Sequence, residues 1–163
     1  MGILQIEKPR QIWWKIRPHI DFGTIEFRIC DTQRSIRKLE MLTALSQALV
    51  YQAVIDYKSE SLLDSFNMEY LYDGLWKACR FPLSVNMIDP ETNDVSTLLE
   101  QIQKMIKYAN DSLHYFNNTH ILKEIENICK DGTEGDDQIK VYNKSGFEGL
   151  KIYLMDNIEY NLN

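Results

Sequence analysis

No apolar run in this chain approaches the roughly 18 consecutive residues that a membrane-spanning helix needs. The N-terminus lacks the charged and apolar regions of a secretory signal peptide. Cysteine is scarce: Cys30, Cys79 and Cys129 are odd in number and far apart, which excludes a disulfide framework. They form no CxxC pair, and their spacing to His19, His114 and His120 matches no zinc pattern. Cys30 and Cys79 lie in apolar contexts, so both are expected as buried thiols, and a reducing cytoplasm is the expected compartment. Basic residues do not dominate: 18 Lys and Arg against 24 Asp and Glu leave a net charge of -6, which argues against a nucleic-acid groove. Internal repeats, low-complexity tracts and long polar linkers are also missing, so residues 1–163 are expected to form one domain.

What is present is an ordinary globular composition, 44% hydrophobic and 26% charged, with an uneven distribution of charge. Lys8, Arg10, Lys15, Arg17, Arg28, Arg34, Arg37 and Lys38 all precede residue 40, and the acidic excess lies after it. This asymmetry fits a small-anion site near the start of the chain, or an uneven solvated surface. Two strands are predicted there, over about 11–18 and 23–30, joined by a turn through Asp21 and Gly23. Pro18 is expected to end the first, because it cannot donate to a ladder. Alternation in the second puts Thr24, Glu26, Arg28 and Cys30 on one face, and Ile25, Phe27 and Ile29 on a face made for a core. The same parity groups Trp13, Lys15 and Arg17. Arg, Glu and Arg on one surface suit an anion and a metal; a solvated ion pair is the plainer alternative.

The rest reads as helix. Ser35 is a candidate N-cap for a long helix marked by Ile36, Leu39, Leu42, Leu45, Leu49, Ala53 and Tyr57, with Ala44, Ala48 and Ala53 allowing close approach to a sheet. A second helix covers about 67–80 and stops before Pro82. Asp89–Asp94 reads as an exposed turn after a short apolar run. A third helix begins near Val95 and continues toward Phe116, and a fourth carries Ile121, Leu122, Ile125 and Ile128 and ends at Gly132. Residues 133–137 read as a solvated polar loop, with two short helices after it separated by Gly146. His114 and His120 read as surface or capping residues, and the tyrosines at 51, 57, 70 and 72 as packing. The expected class is α+β: an antiparallel strand pair and then five or six helices. Two strands do not make a stable sheet alone, so helices must cover them or further strands must complete them.

The string WWKIRPHIDFGTIEFRICDTQ, residues 13–33, resembles the central signature of the carboxylate-amine ligases, the glutamate–cysteine ligase type 2 family, which share a glutamine synthetase-like catalytic fold. The long helix with Leu45, Gln47, Ala48 and Leu49, the stretch Trp76-Lys77-Ala78-Cys79-Arg80-Phe81 and the turn Asp89-Pro90-Glu91-Thr92 extend the resemblance over most of the chain. It covers only the C-terminal portion of such proteins. The family's Gly-x-Glu-x-Glu and His-rich strands, which supply most metal ligands, have no counterpart here.

The resemblance implies an ATP-dependent ligase with Mg2+, acting on a small amino-acid substrate. A carboxylate, typically the side chain of glutamate, is phosphorylated, and an amine then attacks the acyl phosphate. It implies Glu26 as metal ligand, Arg28 as the phosphoryl-stabilising catalytic residue beside it, Arg17 on nucleotide phosphate or substrate carboxylate, and Arg80 as a further binding residue. Lys15, the triplet Asp73-Gly74-Leu75, Lys77 and Pro82 depart from the residues usual in the family. The expectation is therefore a ligase that is incomplete as this chain alone. The alternative is a non-catalytic module that pairs with a copy of itself or with a separate chain supplying the absent strands.

Overall fold

The computed structural model describes residues 15–61 and 66–156. It divides after Gln33 into two compact units. In the first, β1 (Ile16–His19) pairs antiparallel with β2 (Thr24–Phe27). The part of the predicted first strand that precedes Lys15, Trp13 included, lies outside the described residues. β1 does not stop at Pro18. The Arg28 N–H donates to the Lys15 carbonyl at 2.8 Å, and alternation from that bond puts Pro18, opposite Ile25, where the ladder needs no N–H. Gly23 closes the connection: its N–H donates to the Ile20 carbonyl at 3.3 Å, and its φ of 60° is a conformation glycine adopts without Cβ strain.

The second unit contains α1 (Ile36–Lys58), α2 (Met68–Arg80), β3 (Asn86–Ile88), β4 (Val95–Thr97), α3 (Leu98–Tyr115), a 3₁₀ turn (Thr119–Ile121), α4 (Leu122–Asp131) and α5 (Glu134–Asp156). The α+β class and the helical C-terminal portion are as expected. Ser35 caps α1 by accepting from the Lys38 N–H. Met41, Ala44, Leu45 and Ala48 recur at helical spacing and pack against Ala109 and Leu113 of α3 and Ile121 and Ile125 at α4. Ala48 and Ala109 are fully buried, so the small residues of α1 serve contact between helices within this unit rather than the expected approach to a sheet. The buried Ser112 hydroxyl is satisfied by Gln52 Oε1 at 3.0 Å. Tyr51 and Tyr115 stack with their centroids 4.7 Å apart.

Local expectations fail around the β3–β4 turn. Val95–Thr97 is a strand paired with Asn86–Ile88, so the third helix starts at Leu98, where Thr97 and Glu100 form a capping box. Asp89, expected at an exposed turn, is 1% exposed. Its carboxylate accepts from the N–H of Glu91 at 2.9 Å, the N–H of Thr92 at 3.3 Å, Gln101 Nε2 at 2.9 Å and the Lys104 ammonium. Burial alone would push this carboxyl up, but the Lys104, Gln101 and backbone donors outweigh it and hold it well below the usual carboxylate range.

Residues 133–137 are not a solvated loop either. Thr133 and Asp136 bond reciprocally, with Thr133 N–H to Asp136 Oδ2 at 2.7 Å and Asp136 N–H to Thr133 Oγ1 at 3.3 Å, and so open α5. The predicted break at Gly146 is present as a kink, with φ 64°. α5 buries no residue fully, yet Arg34 grips both of its ends. Arg34 Nε donates to Glu134 Oε1 at 2.7 Å, its Nη1 donates to the Tyr153 carbonyl at 3.0 Å, and its guanidinium lies 4.1 Å from the centre of the Tyr153 ring.

Two substitutions probe this packing. Leu113→Ala empties part of the shared core and is expected to lower stability by about 2–5 kcal/mol, read from urea unfolding. Asp89→Asn is expected to cost roughly 1–3 kcal/mol at neutral pH by removing the ion pair. Because the folded Asp89 carboxyl is depressed, its contribution is complete above the ordinary carboxyl pKa of about 4 and is lost as pH falls through the lower folded value. The stabilities of wild type and Asp89→Asn should therefore converge in acid; a constant gap down to about pH 2 would contradict this assignment.

Candidate functional site

The hairpin register sets Arg17 directly across from Glu26, and the pairing of Lys15 with Arg28 extends the same face. Arg17 Nε donates to Glu26 Oε2 at 2.7 Å, and Arg17 Nη2 lies 2.5 Å from the same oxygen. Arg28 Nε approaches the other oxygen, Oε1, at 3.7 Å. Among the described residues, one carboxylate is thus bracketed by two guanidinium groups. The arginine side chains are 18% and 23% exposed and the glutamate 43%. The arrangement is receptive to an anion, since planar guanidinium groups match phosphate and carboxylate oxygens in fork geometry.

The three hairpin residues singled out from the sequence therefore share one patch. The fourth, Arg80, ends α2 in the other unit, where it is exposed and, with Lys77, complements the C-terminal end of the helix dipole. Lys77 also pairs with Asp73 at 2.7 Å. In the triplet Asp73-Gly74-Leu75, Leu75 is half-buried, next to Gly74, at which a Cβ would meet Met87 Cε at 2.6 Å.

The opposite face of the hairpin is not covered as a core face should be: Ile16 and Ile25 are each 47% exposed and Ile29 is 53% exposed. Cys30, expected as a buried thiol, is exposed, and so is Cys79. In neither case do apolar neighbours in sequence supply cover in space. His19 escaped notice as a site residue. Its parity with Arg17 was visible in the sequence, and its ring stacks on Phe22 at 4.4 Å. Its Nδ1 is closed off from water and has no hydrogen-bond partner among the described residues.

Among the described residues no group of three or more His, Cys, Asp or Glu could hold a metal ion. Glu26 is the carboxylate that the described residues contribute to the patch. Magnesium, however, is commonly held by one or two carboxylates together with phosphate oxygens and water. The patch therefore fits one ligand of a metal–nucleotide complex and does not fit a self-sufficient metal centre. No helix of the described residues is long and apolar enough to cross a membrane.

Comparison with known proteins agrees with this signature. The family model of glutamate-cysteine ligase family 2 matches residues 2–152. The "Putative glutamate--cysteine ligase 2" of Solibacter usitatus is 25% identical over 96% of this chain and 41% of that protein. The protein of the same name from Sorangium cellulosum is 27% identical over 84% of this chain and 36% of its own length. That of Gloeobacter violaceus is 41% identical over a shorter stretch, 53% of this chain and 23% of its own length. The chain spans about two fifths or less of the length of these curated relatives. With the family model covering nearly all of it, and with the bracketed carboxylate on its hairpin, the chain belongs to glutamate-cysteine ligase family 2.

Proposed function

We propose that the chain carries part of the active site of an ATP-dependent carboxylate–amine ligase of the glutamate–cysteine type, working in a reducing cytoplasm on a small amino-acid substrate. The observation that carries this reading is Glu26 held between Arg17 and Arg28 on one hairpin face. In the reaction, a substrate carboxylate oxygen takes the terminal phosphoryl group and ADP leaves. The amine nitrogen then attacks the acyl carbon, phosphate departs, and the nitrogen loses a proton to give the amide. Mg2+, were it bound with the nucleotide, would supply neutralisation of phosphate charge. Glu26 is its ligand from this chain, Arg28 faces the transferring phosphoryl group, and Arg17 binds nucleotide phosphate or substrate carboxylate. In the ligand-free arrangement Arg17 holds the Glu26 carboxylate in place. A phosphate reaching this patch would share the Arg17 guanidinium with Glu26, and the Glu26 carboxylate would be the group able to hold the metal. Arg80 is a further substrate-binding candidate from α2. A single carboxylate and two arginines do not complete a phosphoryl-transfer site, so turnover requires the remaining portion found in the longer relatives.

A second reading rests on a different observation, the exposed Ile16, Ile25 and Ile29 face of a two-stranded ribbon. In it the chain is a non-catalytic module whose hairpin pairs with strands from a separate chain or a second copy. The two readings part on nucleotide binding, which only the ligase requires.

Titration of the chain with Mg–ATP by calorimetry tests the first reading. Arg17→Ala and Arg28→Ala should each weaken binding by roughly tenfold, the loss of a charge-assisted hydrogen bond. Glu26→Gln should abolish the magnesium dependence while leaving binding of metal-free ATP unchanged or stronger, because Arg17 is released. Absence of any Mg–ATP binding, or variants that all titrate like the wild type, would reject the assignment.

A further inference from the structure

The helical unit encloses a cleft of about 800 Å3 between the C-terminal part of α1, one face of α3 and the turn that joins β3 to β4. Both of its walls are held by polar bonds. On one side the Tyr108 hydroxyl donates to Asp56 Oδ2 at 2.5 Å, and Gln52 Nε2 donates to Asp56 Oδ1 at 3.0 Å. Burial and the Asp56 carboxylate push the Tyr108 hydroxyl up to about 12, so it remains a donor at neutral pH. On the other side Lys104 is committed to the buried Asp89, and Gln101 bridges Asp89 and Ser96 at 2.9 and 2.8 Å. The remaining charges of the lining are different. Neither the Glu91 carboxylate nor the Lys107 ammonium makes a hydrogen bond or ion pair among the described residues, although Lys104 feels the field of Glu91. Phe66 and Met105 add apolar surface between polar groups.

A concave site of this size with fixed walls, an apolar body and one available charge of each sign selects a particular chemistry. We propose that the cleft binds a small zwitterion of amino-acid to dipeptide size, its ammonium on Glu91, its carboxylate on Lys107 and its uncharged body against Phe66 and Met105. All of its lining residues belong to the helical unit, and it does not rest on the ligase reading. It requires neither nucleotide nor magnesium.

The test uses the dipeptide Gly-Leu as probe, with N-acetyl-Gly-Leu and Gly-Leu-amide as controls that each lack one terminal charge. Binding is monitored by NMR on the intact chain, through the amide resonances of residues 101–108. Gly-Leu should give saturable shifts there in the millimolar range, and each blocked peptide should bind roughly threefold to fivefold more weakly, as expected for one partly solvated ion pair. Glu91→Gln should lower affinity for Gly-Leu but not for the acetylated peptide, and Lys107→Met should lower it for Gly-Leu but not for the amide. Equal binding of all three peptides would overturn the charge assignment. Absence of saturable shifts below roughly 10 mM, an affinity weaker than about 3 kcal/mol, would overturn the site. The blocked peptides keep the test decisive even where a variant fails to fold, and adding Mg–ATP should change none of these results.

Discussion

The functional reading depends on strand register. Glu26 meets Arg17 only because β1 and β2 pair with these residues directly opposite, and Arg28 joins them only because side chains two apart on a strand share a face. A slip by one residue would set Arg17 across from Ile25 or Phe27, on the face opposite Glu26 and Arg28, and bring Ile16 to the charged side. The turn at Gly23 fixes that register, and Pro18 tolerates it because its missing N–H falls at a position with no ladder bond. The reciprocal grip between guanidinium and carboxylate adds little stability at a partly open surface. It does fix where charge lies on the hairpin.

The helical unit is organised by a different constraint. Ala48 and Ala109 let α1 and α3 approach closely, and Leu113, Ile121 and Ile125 fill the space beside them. That packing leaves the ends of the helices free for polar work. At one end the β3–β4 turn folds Asp89 inward, where a carboxylate is tolerated only because four donors converge on it. At another, Thr133 and Asp136 start α5 by satisfying each other's backbone. These nodes connect segments that the apolar core does not reach.

Much of this was legible from residue order, for identifiable reasons. Period-two alternation exposed the shared face of Glu26 and Arg28, and helical spacing exposed the core residues of α1 and α3, because both patterns are repeated enough to stand out. β3 and β4 were missed because three residues carry almost no periodicity and Val95 fits a helical pattern equally well. The burial of Asp89 was hidden because an Asp-Pro turn ordinarily faces water, and its decisive partner, Lys104, is 15 positions away. Arg34 and Glu134 are 100 positions apart, beyond any local signal. The thiols of Cys30 and Cys79 were misjudged because apolar neighbours in sequence do not guarantee cover in space. The site was legible in its hairpin half and silent on His19, whose ring is placed by a stacking contact with Phe22 rather than by charge.

The kinked last helix carries an evolutionary implication. Arg34 holds Glu134 near its beginning and Tyr153 near its close, with the bend at Gly146 between them. Each residue added to a helical arm lengthens it by about 1.5 Å and turns the residues beyond it by about 100°. An insertion in one arm alone would swing Glu134 or Tyr153 off the guanidinium, whereas compensating changes on both sides of the bend would preserve the grip. Length variation among homologues should therefore be tolerated at the ends beyond this clasp and in loops elsewhere, and be selected against between positions 134 and 153.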